Sequence, residues 1–255
     1  MKKARLAVVV VTIERLIEEP YRSIVCYPMA TKTELRKRLA ELGKLGIATI
    51  EFAGEKHVLN VHVLGKGCVG LVAIAYRDGE RVALKIRRTD ADRASMRREA
   101  EMLQKANVVN VGPRLLGVSK DFLMMQFVEG KLLPKWLEKK VGRVRTKTVL
   151  RDVLEQCWRL DVAGLDHGEL SRAPKHVIVT AEDNAFIVDF ESASVNRRPS
   201  NVTSICQFLF IGEFSHKVSE KLGCRDRKTM IDALRRYKKN VNRKNFDNVL
   251  ESCGL

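Results

Sequence analysis

A lysine inside an apolar strand is costly unless an anion meets it, and Val82-Ala83-Leu84-Lys85 places one there. Twenty residues before it, Gly65-Lys66-Gly67-Cys68-Val69-Gly70 spaces three glycines as G-x-G-x-x-G. Residues without a Cβ let the backbone approach phosphate oxygens closely. Beyond the lysine, Arg97-Arg98-Glu99-Ala100-Glu101-Met102-Leu103 offers two acids to pair with it. Glu99, set just ahead of the Ala-x-Met-Leu apolar face, suits an inward orientation, and Glu101 is the reserve. Further acids follow in Leu165-Asp166-His167-Gly168-Glu169-Leu170 and in Asp189-Phe190-Glu191. Asp189 ends the apolar run Phe186-Ile187-Val188, a position from which a carboxylate can hold a divalent cation on phosphate oxygens. Glycines, one buried cation and strand-end carboxylates together point to chemistry on a polyphosphate.

The elements around these residues decide which polyphosphate chemistry is meant. A dinucleotide site needs a helix directly after its glycines, because the helix N-terminus faces the pyrophosphate. Here the β-branched run Leu71-Val72-Ala73-Ile74 follows instead, then Asp78-Gly79 and a second strand. Asp-Gly between two such runs is a strong hairpin signal, and a β-hairpin lid over a nucleotide is the protein-kinase arrangement. The pattern then predicts a helix over 92–106, a strand at FLMMQFV and a helix over Thr146–Ala163 that stops at Gly164. After Ser192 the chain reads as mostly helical and basic, densest in RDRKTMIDALRRYKKNVNRK.

The first sixty residues read as a separate element. Thr31-Lys-Thr-Glu34 is a capping-box pattern opening a helix with Leu35, Leu39 and Leu42 on one face. Gly43 and Gly46 punctuate it, and IATIEF reads as a strand. The expectation is an extension packed on the next domain; a small winged-helix-like module that binds nucleic acid is the alternative.

With GKGCVG, VALK, RREAEML, HGEL and IVDFE in hand, the chain over roughly Leu64–Val195 resembles the RIO-type and KEOPS-complex-type atypical kinases. It is similar to a set of archaeal RIO-like predicted Ser/Thr kinases. The resemblance implies an α+β, two-lobed kinase-like fold: extension 1–56, small β-rich lobe 57–128 and helical lobe 129–255. It implies ATP with Mg2+ or Mn2+. Lys85 would hold phosphates beside Gly65, Lys66, Gly67 and Gly70, with Glu99 as its partner, and Asp189 would bind the metal. The Met125-Gln126-Phe127-Val128 run is similar to a kinase hinge, with Gln126 and Val128 offering backbone to adenine and Met125 guarding the back of the pocket.

Two departures bear on catalysis. Where the family carries an aspartate, this chain has Glu169, one methylene longer; Asp166 is the alternative carboxylate. The family's metal-binding asparagine is absent from its usual place, where Pro174 stands. SRAPKHVIV is about two residues longer than the family pattern, and aligning its apolar end puts His176 in the asparagine's position, as a metal ligand or phosphate donor. No A-P-E motif follows Asp189.

Composition narrows the remaining classes. With 45% hydrophobic and 31% charged residues, the chain is an ordinary globular protein. Its 47 Lys+Arg against 31 Asp+Glu leave a formal charge of +16, which attracts polyanions such as RNA or ribosomes. Six scattered cysteines form no C-x-x-C pair, so neither a zinc site nor a disulfide framework is expected, and a reducing cytoplasm is the simplest setting. The apolar run Leu6–Val11 is too short for a signal peptide or a membrane span and reads as a strand or helix start.

The combined expectation is an ATP-dependent atypical Ser/Thr protein kinase acting on a protein hydroxyl or on itself. Rivals are an ATP-hydrolysing assembly factor on RNA or ribosomes, a catalytically degenerate scaffold, and a small-molecule kinase, against which the basic surface argues.

Overall fold

The computed structural model describes residues 8–139, 141–172 and 174–255. The chain is α+β and divides into two compact units, the first made of residues 1–101 and 114–127, the second of 102–113 and 128–255.

The first unit is built on an antiparallel sheet. Strand β1 (Val9–Thr12) leads through a 3-10 turn to helices α1 (Tyr21–Val25) and α2 (Lys32–Lys44), and to β2 (Ile47–Phe52). A hairpin of β3 (Lys56–Val58) and β4 (Val61–Val63) precedes the glycine segment, which opens as β5 (Gly65–Lys66). Then come β6 (Gly70–Arg77), β7 (Glu80–Arg87), helix α3 (Arg97–Val108), β8 (Leu115–Val118) and β9 (Phe122–Gln126). The sheet order is β1-β2-β6-β7-β9-β8, with β5 pairing β6. Strands β1 and β2 therefore belong to the sheet that carries Lys85. Val11 of the early apolar run is buried in β1, while Leu6 and Ala7 lie outside the described residues.

Local chemistry explains several boundaries. Thr31 Oγ1 accepts from the Glu34 amide at 3.1 Å, so half of the expected capping box forms and starts α2. Gly43 does not stop that helix, which runs through it to Lys44. Termination falls at Gly46, whose φ of +71° is the left-handed conformation glycine adopts cheaply. Asp78 and Gly79 both have positive φ and close the β6–β7 hairpin. Helix α3 begins at Arg97, later than the periodicity over 92–106 suggests.

The second unit contains the end of α3, β10 (Lys131–Leu132), α4 (Leu133–Leu137), the long α5 (Arg143–Val162), β11 (Val177–Val179) and β12 (Ala185–Ile187). Four further helices follow: α6 (Asn201–Cys206), α7 (Ser215–Leu222), α8 (Arg227–Lys239) and α9 (Arg243–Cys253). Strands β10, β11 and β12 form one small sheet. Helix α5 buries Val149, Leu150, Val153, Leu154, Cys157 and Leu160 and stops before Gly164, at φ +73°. Helix α8 buries Met230, Ala233, Leu234 and Tyr237 and turns Arg235, Arg236, Lys238 and Lys239 outward. Among the described residues, no helix is long and apolar enough to cross a membrane.

Candidate active site

In the first unit, the glycine segment and Lys85 are held by adjoining strands. Gly65 and Lys66 pair with Val72 and Leu71, and the Gly67 amide donates to the Gly70 carbonyl at 2.8 Å. Lys66, Gly67 and Cys68 are thereby exposed at the turn. A Cβ on Gly70 would lie 2.8 Å from the Ile86 carbonyl oxygen and 3.2 Å from the Lys85 stem, so this glycine is required by close strand packing.

Lys85, opposite Val72 on β6 and Leu123 on β9, is only 5% exposed. Its Nζ donates to Glu99 Oε1 at 2.8 Å, and Glu99 is 4% exposed. Glu101, the other acid considered on this helix, faces solvent. A buried ammonium needs such a partner, since an isolated one would shed its proton instead of remaining charged.

Residues of the amino-terminal segment reach the same turn. Tyr27 lies under Lys66 Nζ and the Arg88 guanidinium, each 5.2 Å from its ring centre. Thr89 anchors this segment, its amide donating to the Tyr27 carbonyl at 2.8 Å and its hydroxyl accepting from the Met29 amide at 3.1 Å. Tyr27 left no cue for sequence reasoning, because a ring–cation contact between remote segments leaves no periodic trace. Elsewhere in this unit, Met125 and Gln126 close β9, and the Gln126 amide donates to the Arg114 carbonyl at 2.9 Å. Val128 belongs to the second unit.

In the second unit, Glu169, His176, Asp189 and Ser192 gather. Glu169 Oε2 is 3.2 Å from His176 Nε2, and Glu169 Oε1 accepts the Ser192 hydroxyl. His176 Nδ1 lies 3.9 Å from Asp189 Oδ2 and is a buried nitrogen with no hydrogen-bond partner among the described residues. The Glu169 and Asp189 side chains are 39% and 40% exposed, so both carboxylates face solvent while the histidine between them is buried. Asp189 sits at φ +71°, a left-handed backbone unusual outside glycine, which turns the chain sharply into the 3-10 turn Phe190–Ser192.

His167 supports this cluster from behind. It is buried, its Nε2 lies 3.1 Å from the Val188 carbonyl oxygen, and its ring packs edge-on to Phe190 and His176. Burial, with His176 adding, pushes its pKa down to about 4, so it is neutral near pH 7.

Asp166 has a different environment. It is 6% exposed, accepts from Arg197 Nε at 2.9 Å and from the Ser200 amide at 3.2 Å, and its backbone bridges Ser194. Arg197 also donates to the Ser192 carbonyl at 2.6 Å, tying the two loops together. Asp161 braces the next turn by accepting from the Asn201 and Val202 amides, the Asn201 side chain and the Tyr237 hydroxyl. Burial raises its pKa against those bonds. Ser192, Arg197 and Asp161 had no readable signal, because each acts through partners distant in the chain.

This arrangement supplies, in one unit, a glycine turn beside a buried lysine–glutamate pair and, in the other, solvent-facing carboxylates around a histidine. An uncharacterized protein of Methanocaldococcus jannaschii is 27% identical over 118 residues, which span 45% of this chain and 99% of that protein. The RIO domain profile matches residues 51–205, a stretch that holds the glycine turn, Lys85, Glu99, Glu169, His176, Asp189 and Ser192. That match takes in more than half of the sequence, and the chain belongs to the RIO domain family, a family of atypical kinase-like proteins.

Proposed function

We propose that the protein is an ATP-dependent Ser/Thr phosphotransferase that uses Mg2+ or Mn2+ and passes the γ-phosphate to a protein hydroxyl. The observation that carries this reading is the buried Lys85–Glu99 pair, 2.8 Å apart, next to the Gly67–Gly70 turn. An ammonium fixed in this way is pre-oriented for phosphate oxygens and needs no reorganisation when they arrive. Gly65, Lys66, Gly67 and Gly70 take the phosphates with it, and Met125, Gln126 and Val128 take the adenine. In lobe terms, residues 57–128 grip the nucleotide, 129–255 hold the metal and the catalytic acid, and 1–56 extend the first lobe.

The donor set of the second unit fits a divalent cation. Asp189 supplies carboxylate oxygen, and the orphaned His176 Nδ1 lies 3.9 Å from it, close enough for both to reach one ion through bonds of about 2.0–2.2 Å. Bound there, the cation would neutralise phosphate charge. Glu169 is the favoured catalytic carboxylate, since Asp166 is already engaged by Arg197 and Ser200. Glu169 would orient an acceptor hydroxyl and take its proton.

The test is transfer of radiolabelled phosphate by Lys85→Ala and Asp189→Ala. Both variants should lose at least a hundredfold; undiminished transfer by both would overturn the assignment. The exposed cations of α8 favour one second reading, an ATPase that works on RNA or ribosomes in the cytoplasm. ATP hydrolysis stimulated by RNA, with no phosphoprotein formed, would select it.

A further inference from the structure

We infer that Ser192 is itself a phosphate acceptor, modified in cis by the centre to which it belongs. This rests on the reading of Glu169 as the catalytic carboxylate and goes beyond it by naming a substrate hydroxyl. A nucleophile and its base are recognised by a hydrogen bond between them, with the base oriented in turn by a third group. All three parts are present here. The Ser192 hydroxyl donates to Glu169 Oε1, the other Glu169 oxygen lies 3.2 Å from His176 Nε2, and His176 Nδ1 lies 3.9 Å from Asp189 Oδ2. Ser192 closes the 3-10 turn that starts immediately after Asp189, so the hydroxyl is fixed close in sequence to the proposed metal ligand. Arg197 pins its carbonyl at 2.6 Å, which holds the serine backbone in this place.

The step balances with ATP as co-substrate. The Ser192 O–H bond breaks and its proton passes to the Glu169 carboxylate. The Oγ–P bond forms while the bond from the γ-phosphorus to the β,γ-bridging oxygen breaks, and ADP leaves with that electron pair. The product places a phosphate of about −2 charge against Glu169 and near Asp189. It therefore repels the next triphosphate and turns the centre down.

The experiment incubates the full chain with labelled ATP and Mn2+, following ADP release, label on the protein and the position of the label by fragment mass spectrometry. One phosphate on Ser192 is expected, at a first-order rate that does not change with protein concentration. Ser192→Ala should lower the label at least twentyfold, Ser192→Thr should keep it on the same position, and Ser171→Ala, at an exposed neighbour, should leave it on Ser192. An independent binding readout is calorimetry with a non-hydrolysable ATP analogue, which Ser192→Glu should bind at least tenfold more weakly than wild type. Label elsewhere, label that persists in Ser192→Ala, a rate proportional to protein concentration, or unchanged analogue affinity in Ser192→Glu would overturn the inference. ADP release without any label would overturn it while leaving ATP turnover standing, whereas absence of both binding and turnover would remove the underlying reading as well.

Discussion

Arg38, on the second helix of the chain, donates at 3.3 Å to Asp121 Oδ1, the same oxygen that accepts from Arg87 Nε at 2.6 Å. Arg38 is fully buried and also bonds the Val25 carbonyl at 2.7 Å, the Arg87 carbonyl at 2.6 Å and Glu34 at 2.8 Å. Arg87 is two residues along β7 from Lys85. Helix α2 thus grips the end of β7, the strand that carries Lys85. Removing one member of a buried charge network leaves the others uncompensated.

Arg38→Met should therefore destabilise the protein by about 3–5 kcal/mol. For a chain of this size that corresponds to a fall in Tm on the order of 10 °C. Arg36→Met, at an exposed position two residues away, should stay within about 0.5 kcal/mol of wild type. Calorimetric melting of the two variants is the check, and equal Tm values would show that the network contributes nothing.

Glu99 and Glu101 differ by two positions and by a complete change of surroundings. Glu99→Gln removes the carboxylate charge facing Lys85, so nucleotide affinity should fall roughly 10–150-fold, the loss of one charge-assisted bond of about 1.5–3 kcal/mol. Glu101→Gln should leave affinity unchanged, because that side chain faces solvent. Titration of an ATP analogue into both variants decides the point, and an equal loss in each would remove Glu99 from its assigned role.

That contrast shows what could be read from the sequence. Lys85 stood out because a lone cation interrupts an apolar β-branched run, a local anomaly with a physical cost. The β6–β7 hairpin was equally legible, since Asp78-Gly79 states its own turn. Arg38 was illegible for the opposite reason: KTELRKRLAELGK carries several cations, and only Arg38 turns inward, toward an aspartate eighty-three residues away. Ser192 and Tyr27 were hidden likewise, because hydrogen bonds and ring contacts between distant segments have no period.

Cys68 offers a probe of the glycine turn that does not depend on turnover. It is exposed, as is Cys224, whereas Cys26, Cys157, Cys206 and Cys253 are buried. Only thiolates alkylate, and burial pushes the Cys26 thiol up to about 11, so Cys26 stays protonated and unreactive at pH 8. In the native protein, Cys68 and Cys224 should therefore be the two thiols that label. An ATP analogue with Mg2+ should slow labelling of Cys68 at least fivefold and leave Cys224 unchanged. Equal rates at Cys68 with and without the analogue would place the nucleotide away from this turn.

At His176, metal affinity can be measured directly. Its imidazole lies 3.2 Å from Glu169 through Nε2 and 3.9 Å from Asp189 through Nδ1. If Nδ1 joins Asp189 in holding the cation, His176→Ala should weaken Mn2+ binding about 10–100-fold, the usual cost of losing a ligand or its support. His176→Asn restores an oxygen donor of shorter reach and should recover part of that loss. Mn2+ binding followed by electron paramagnetic resonance, with an ATP analogue present, separates the possibilities. An unchanged affinity in His176→Ala would assign the histidine to holding Glu169 alone, because its Nε2 contact would then be the only one that matters.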